Sequence, residues 1–153
     1  MLNCCVYKIF GPYVFICAPL NNCVGNKQKG SSAERELIHL FWKTDWAATR
    51  VAGSGSMQYP SPDIIAHRPG ISLAIECKAT RQTYKYLEKE EIQQLIEYSI
   101  KAGITPLIAV RFPRQPWYFL SPEQLKETEK FHMISLEEAQ KKGKTFETLT
   151  KGL

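Results

Sequence analysis

The segment 62–78 constrains this chain more than any other. It reads Pro62-Asp63-Ile64-Ile65-Ala66-His67, then Arg68-Pro69-Gly70, then Ile71-Ser72-Leu73-Ala74-Ile75-Glu76-Cys77-Lys78. Two short apolar runs around a Pro-Gly turn predict a β-hairpin. Asp63, Glu76 and Lys78 interrupt those runs. A charge inside a buried strand is costly unless it is paired or binds a metal. Strand side chains alternate, so Glu76 and Lys78 share one face and Cys77 takes the other with Ile75. Asp63 opens the neighbouring strand, so pairing brings it beside Glu76. Two carboxylates and an ammonium then meet at one end of a small sheet. Such hard oxygen ligands suit Mg²⁺, which keeps several waters and takes one or two carboxylates plus substrate phosphate. The lysine can steady a water or the charge of a phosphorane-like transition state. The plain alternative is an ion pair of Lys78 with Glu76 or Asp63 on a solvated face, since Glu-x-Lys alone is a common accident. The apolar strand around it, with Pro-Asp one strand earlier, weighs against that.

The rest of the composition sets bounds. With 153 residues, 44% apolar and 23% charged, the chain suits one globular domain with a core of useful size. A net charge of +5 mildly favours a polyanionic partner. No apolar run reaches membrane-spanning length. Cys4, Cys5, Cys17 and Cys23 crowd the first segment, with Cys77 alone in the strand. There is no Cys-x-x-Cys, and His39, His67 and His132 lack zinc-finger spacing, which argues against zinc. An odd count with one cysteine in a core strand points to a reducing compartment, and Cys77 reads as a small hydrophobe.

In chain order, residues 1–26 differ from the remainder and read as a poorly ordered extension, consistent with a start codon assigned too far upstream. A signal peptide fits less well, because Gly11-Pro12 breaks the short apolar stretch. Ser31 and Glu34 form a capping box opening a helix that carries Leu37, Leu40 and Phe41 inward. Taken alone, Glu34 reads as a cap. A first strand is expected over 45–52. The loop 53–56, Gly-Ser-Gly-Ser, could let a backbone approach phosphate, although a plain loop is the better reading. Residues 79–86 interleave basic and aromatic side chains and read as a connector suited to a nucleic-acid backbone. A second helix is expected over 87–102, with Ile92, Leu95, Ile96, Ser99 and Ile100 inward and Gly103 ending it. Its acidic run, Glu88, Glu90 and Glu91, suits the helix dipole and reads as structural. Strands follow at 104–112 and 117–120, the latter read as core in preference to a dimer surface. Ser121-Pro122 starts a short helix. Ser135 and Glu138 form another capping box, and the tail 144–153 reads as polar and mobile.

This order of elements, with Pro62-Asp63 and Glu76-Cys77-Lys78, resembles the PD-(D/E)xK nuclease superfamily. Residues 29–38, 49–56, 62–66 and 95–99 narrow the resemblance to archaeal Holliday junction resolvases, over roughly 27–120. The resemblance implies a restriction-endonuclease-like α/β core with a mixed five-stranded central sheet flanked by helices. Residues 1–26 would lie outside that core, and 121–153 would form a C-terminal helical segment and tail. It also implies roles. Asp63 and Glu76 would be the principal Mg²⁺ ligands, with Mn²⁺ as a substitute, and Glu34 an additional carboxylate there. Lys78 would stabilise the transition state or orient the attacking water, and Ser54 would reach over the cleaved phosphate. Lys29, Arg35, Arg50 and Arg81 would contact DNA. The loop departs from the family in Met57, Gln58 and Tyr59, where more basic residues are expected.

The expected function is thus a structure-selective, Mg²⁺-dependent endonuclease that resolves four-way junction DNA by paired symmetric cuts during recombination and repair. It would act as a homodimer in the cytoplasm at the nucleoid, away from membranes. A sliding clamp or other recombination proteins are candidate partners, although no clamp-binding motif stands out. Two other readings stay open: a related nuclease acting on duplex or flap DNA, and a non-catalytic junction-binding protein.

Overall fold

The computed structural model describes residues 31–52 and 59–152, with Ser31 described by its backbone alone. The Pro69-Gly70 turn organises the fold as its chemistry dictates. Strands β2 (Ile64–Arg68) and β3 (Ile71–Ala79) pair antiparallel, with Arg68 opposite Ile71 and Ile64 opposite Ile75. Gly70 has φ +81°, the left-handed conformation that glycine accepts at the third position of a Pro-Gly turn. Strand β1 (Ala47–Arg50) pairs antiparallel on the outer side of β2. It is shorter than the span 45–52 expected for it.

A crossover through strand β4 (Tyr84–Glu88) and helix α2 (Lys89–Ala102) brings strand β5 (Thr105–Arg111) parallel to β3. Parallel neighbours need such a connection. Strand β6 (Trp117–Leu120) returns antiparallel to β5, and β9 (Lys144–Thr145) pairs with β6. The sheet order is β1-β2-β3-β5-β6-β9. This is the expected mixed sheet flanked by helices, with six strands instead of five.

The sheet separates two apolar layers. Leu73, Ile75, Leu107 and Ala109 point to one side, where they meet Leu37 and Phe41 of helix α1 (Ser31–Phe41) and Phe146 and Leu149 of helix α4 (Phe146–Lys151). Ala74, Ile108 and Val110 point to the other, against Ile92 and Leu95 of α2. Alternation at period 2 makes this division. The four residues of β6 are all buried, so this strand is core, as its sequence suggested.

Three expectations need correction. Residues 84–88, read as part of a connector and of the second helix, form β4. This strand pairs with β8 (Phe131–Ser135), which pairs with β7 (Lys126–Glu127), making a second antiparallel sheet. Tyr, Leu and alternating exposure suit that strand once a partner exists. The element at Ser121 is short as expected, a single 3₁₀ turn over Pro122–Gln124 with Ser121 as N-cap and the proline in its first turn. The tail is ordered: Thr145 caps α4 by accepting from the Thr148 N–H, and Phe146 packs edge-on against Phe41 with centroids 5.1 Å apart. Ile100, expected inward on α2, is 75% exposed. Helix α3 (Leu136–Lys142) begins at Ser135, whose hydroxyl accepts from the Glu138 N–H as expected.

Candidate active site

The hairpin register places the acidic groups. Ile64 faces Ile75, so the residue before one and the residue after the other, Asp63 and Glu76, fall side by side where β2 begins. Two main-chain contacts hold that corner. The Cys77 N–H donates to Asp63 Oδ2 at 2.9 Å, and the Val51 N–H donates to the Asp63 carbonyl at 2.9 Å. Pro62, which is buried, restricts the chain leading into Asp63.

Glu76 and Lys78 project from β3 on the α2 side of the sheet, in register with Ala74. Lys78 Nζ lies 2.9 Å from Glu76 Oε1 and 2.9 Å from Glu91 Oε1. Lys78 and Glu76 are largely buried, with side chains 17% and 14% exposed. Burial, then the charge of Asp63, pushes the Glu76 carboxyl up to about 7, against the pull of Lys78. For Lys78 burial acts against the charge, but the charge of Glu76 and the hydrogen bond that Lys78 donates to Glu91 outweigh it and keep the ammonium protonated. The thiol of Cys77 is pushed well above its ordinary value by burial, then by Asp63, Glu76 and Glu34. It partly packs into the α1-side core, as a small hydrophobe should.

Glu34, in the first turn of α1, approaches from the opposite layer and is gripped by Arg50 Nε from the end of β1. Arg50 thereby joins the edge of the site. Arg35 is exposed on α1 and Arg81 is exposed in the connector after β3. Lys29 and Ser54 lie outside the described residues, as do the side chain of Ser31 and the loop 53–58. The structure thus brings together Asp63, Glu76 and Lys78, with Glu34 and Arg50 beside them. Among the described residues, no group of three or more histidine, cysteine or acidic side chains is close enough to hold a metal. Asp63 and Glu76 are the two carboxylates that the hairpin register sets side by side.

Glu91 is the residue that the sequence pattern misassigns. It supports the helix start, as its position suggests: Oε2 accepts from the Glu88 N–H at 3.3 Å. Its other oxygen sits on Lys78. Nothing in a Glu-rich first turn distinguishes that contact from solvation.

A half-buried carboxylate pair with an adjacent lysine thus sits at the strand ends of a mixed sheet flanked by helices, an arrangement whose hard oxygen donors suit a divalent cation. Residues 25–153 match the family model described as archaeal Holliday junction resolvase, and the chain belongs to that family. It is 37% identical over 128 residues to the crossover junction endodeoxyribonuclease Hjc of Archaeoglobus fulgidus, covering 79% of this chain and 94% of that protein. It is 38% identical over 107 residues to the Hjc of Methanocaldococcus jannaschii, covering 70% of this chain and 76% of that protein. The 1.6 Å structure of Archaeoglobus fulgidus Hjc, a Holliday junction resolvase from an archaeal hyperthermophile, superposes with a TM-score of 0.74 at 33% identity. That superposition covers 78% of this chain and 98% of the other.

Proposed function

We propose that this protein is a crossover junction endodeoxyribonuclease that resolves four-way junction DNA with a divalent cation, Mg²⁺ or in its place Mn²⁺. The observation that carries the reading is the placement of Asp63 beside Glu76, with Lys78 held against them, in a chain of the resolvase family. The residues fit such an ion. Both carboxylates are hard donors, and burial together with mutual repulsion holds the Glu76 carboxyl near 7. A divalent cation relieves both costs at once. A bound ion supplies Lewis acidity toward the phosphate and a more acidic water.

The chain's own groups do the rest. Asp63 is pre-oriented by the Cys77 N–H, so little reorganisation is needed to bind. Lys78 offers a fixed positive charge where negative charge develops on the phosphate. Glu34 is the additional carboxylate, held at the edge by Arg50. Arg35, Arg50 and Arg81 are proposed phosphate contacts, together with Lys29, and Ser54 is proposed to approach the cleaved phosphate. A four-way junction has two-fold symmetry, so a homodimer would present one such site to each of two matched strands and give paired symmetric cuts. Such an enzyme would work in recombination and repair at the nucleoid.

The test is cleavage of a labelled four-way junction beside matched linear duplex, with Mg²⁺ and with chelator. Paired, Mg²⁺-dependent nicks in the junction alone are expected. Equal cutting of the duplex would move the assignment to a general nuclease. Tight junction binding with no cutting under any divalent metal would leave a junction-binding protein.

A further inference from the structure

Glu91 divides its two oxygens between two tasks. Oε2 accepts from the Glu88 N–H at 3.3 Å and closes the start of α2. Oε1 accepts from Lys78 Nζ at 2.9 Å and ties α2 to the end of β3. Lys78 Nζ also meets Glu76 Oε1 at 2.9 Å. An ammonium has three N–H donors; these two carboxylates take two and leave one for substrate.

We infer that Glu91 is the positioning residue for Lys78, anchoring the ammonium on α2 so that Glu76 is free to serve a divalent ion. The inference rests on the endonuclease reading above. A lysine is a compact charge on a flexible four-carbon stem. Glu76 cannot give its full charge to an ion and to Lys78 together. With Glu76 as sole partner, the ammonium would either compete with the ion or swing away from the phosphate. Glu91 removes that conflict because it belongs to a different element. Its backbone is fixed by the buried Ile92 and Leu95 of the same helix. A displacement of about 1 Å in a catalytic group can cost a hundredfold in rate, so a second anchor has a clear use.

Helix capping alone would also explain an acidic residue here, and Glu91→Gln separates the two roles. The amide keeps one carbonyl oxygen for the Glu88 N–H, but it puts an uncharged NH₂ donor where the second oxygen now accepts from Lys78. Single-turnover cleavage of a labelled four-way junction, junction affinity in Ca²⁺ and urea unfolding are compared between wild type and Glu91→Gln. The cleavage rate is expected to fall by up to about a hundredfold, with affinity and unfolding midpoint unchanged. In a Lys78→Met background, Glu91→Gln should have no further effect on rate. As a readout independent of catalysis, ¹⁵N NMR should show an ordered Lys78 ammonium signal in Ca²⁺-loaded wild type that is lost in Ca²⁺-loaded Glu91→Gln. An unchanged rate in a protein whose wild type cuts the junction overturns the inference. So does a loss that multiplies fully onto Lys78→Met, or one matched by a loss of stability. If wild type does not cut, the endonuclease reading fails instead, and the ammonium signal alone decides whether Glu91 holds Lys78.

Discussion

The Cys77 N–H donates to Asp63 Oδ2 across the hairpin at 2.9 Å. One main-chain donor on β3 thus aims a side chain at the mouth of β2. It lies between Glu76 and Lys78, so the residue that reads as the variable middle of Glu-x-Lys supplies orientation through its backbone.

That contact makes Asp63→Asn a clean substitution. The amide oxygen still accepts from Cys77, so the protein should fold as wild type. Cleavage should fall by ~10²–10³-fold, the order lost when one preorganised electrostatic contact to a reacting phosphate is removed. Junction affinity should persist, because phosphate contacts lie elsewhere. A gel-shift assay beside a cleavage assay checks both halves, and loss of binding in a folded variant would count against the division.

Glu76 gives a pH dependence. Its carboxyl is raised from 4.5 to about 7 in the folded, metal-free protein, so folding favours the protonated form. The stabilisation is complete below the unfolded value near 4.5 and is lost as pH rises through about 7. Glu76→Gln stays neutral throughout. In chelator at pH 8 it should be more stable than wild type by up to about 3 kcal/mol, and the gap should close toward pH 4.5. Urea unfolding at both pH values measures this. A variant less stable than wild type at pH 8 would refute it.

Phe146 tests the tail. It is buried against Phe41 and Phe119, with centroids 5.1 Å and 6.3 Å away. Phe146→Ala should cost about 3 kcal/mol through lost transfer and a residual cavity. A mobile tail would predict no change in denaturant midpoint.

Gly103 ends α2 at φ +66°, with nothing within 4 Å of where a Cβ would stand. Gly103→Ala should therefore cost only backbone strain, about 1 kcal/mol, with cleavage unaffected. A much larger loss in thermal unfolding would reveal a contact absent from this geometry.

The part of this fold that is legible in the residues alone is local in origin. The Pro69-Gly70 turn set the hairpin register. Period-2 alternation assigned Glu76 and Lys78 to one face and Cys77 to the other, and Ser135 with Glu138 opened α3 as expected. Each of these depends on neighbours within a few residues, whose chemistry is visible in the string. The tertiary structure decided the rest. Lys144 and Thr145 look like tail until β6 offers them an edge, and residues 84–88 look like connector until β8 arrives to pair with them. Ile100 matches the inner stripe of α2, yet the helix buries Ile92, Leu95 and Ser99 and leaves it outside. Glu91 is one of several acids in a first turn, and only the crossover from β3 to α2 brings it onto Lys78. A local pattern fixes which way a side chain points along its own element; which distant group it then meets depends on how the elements pack.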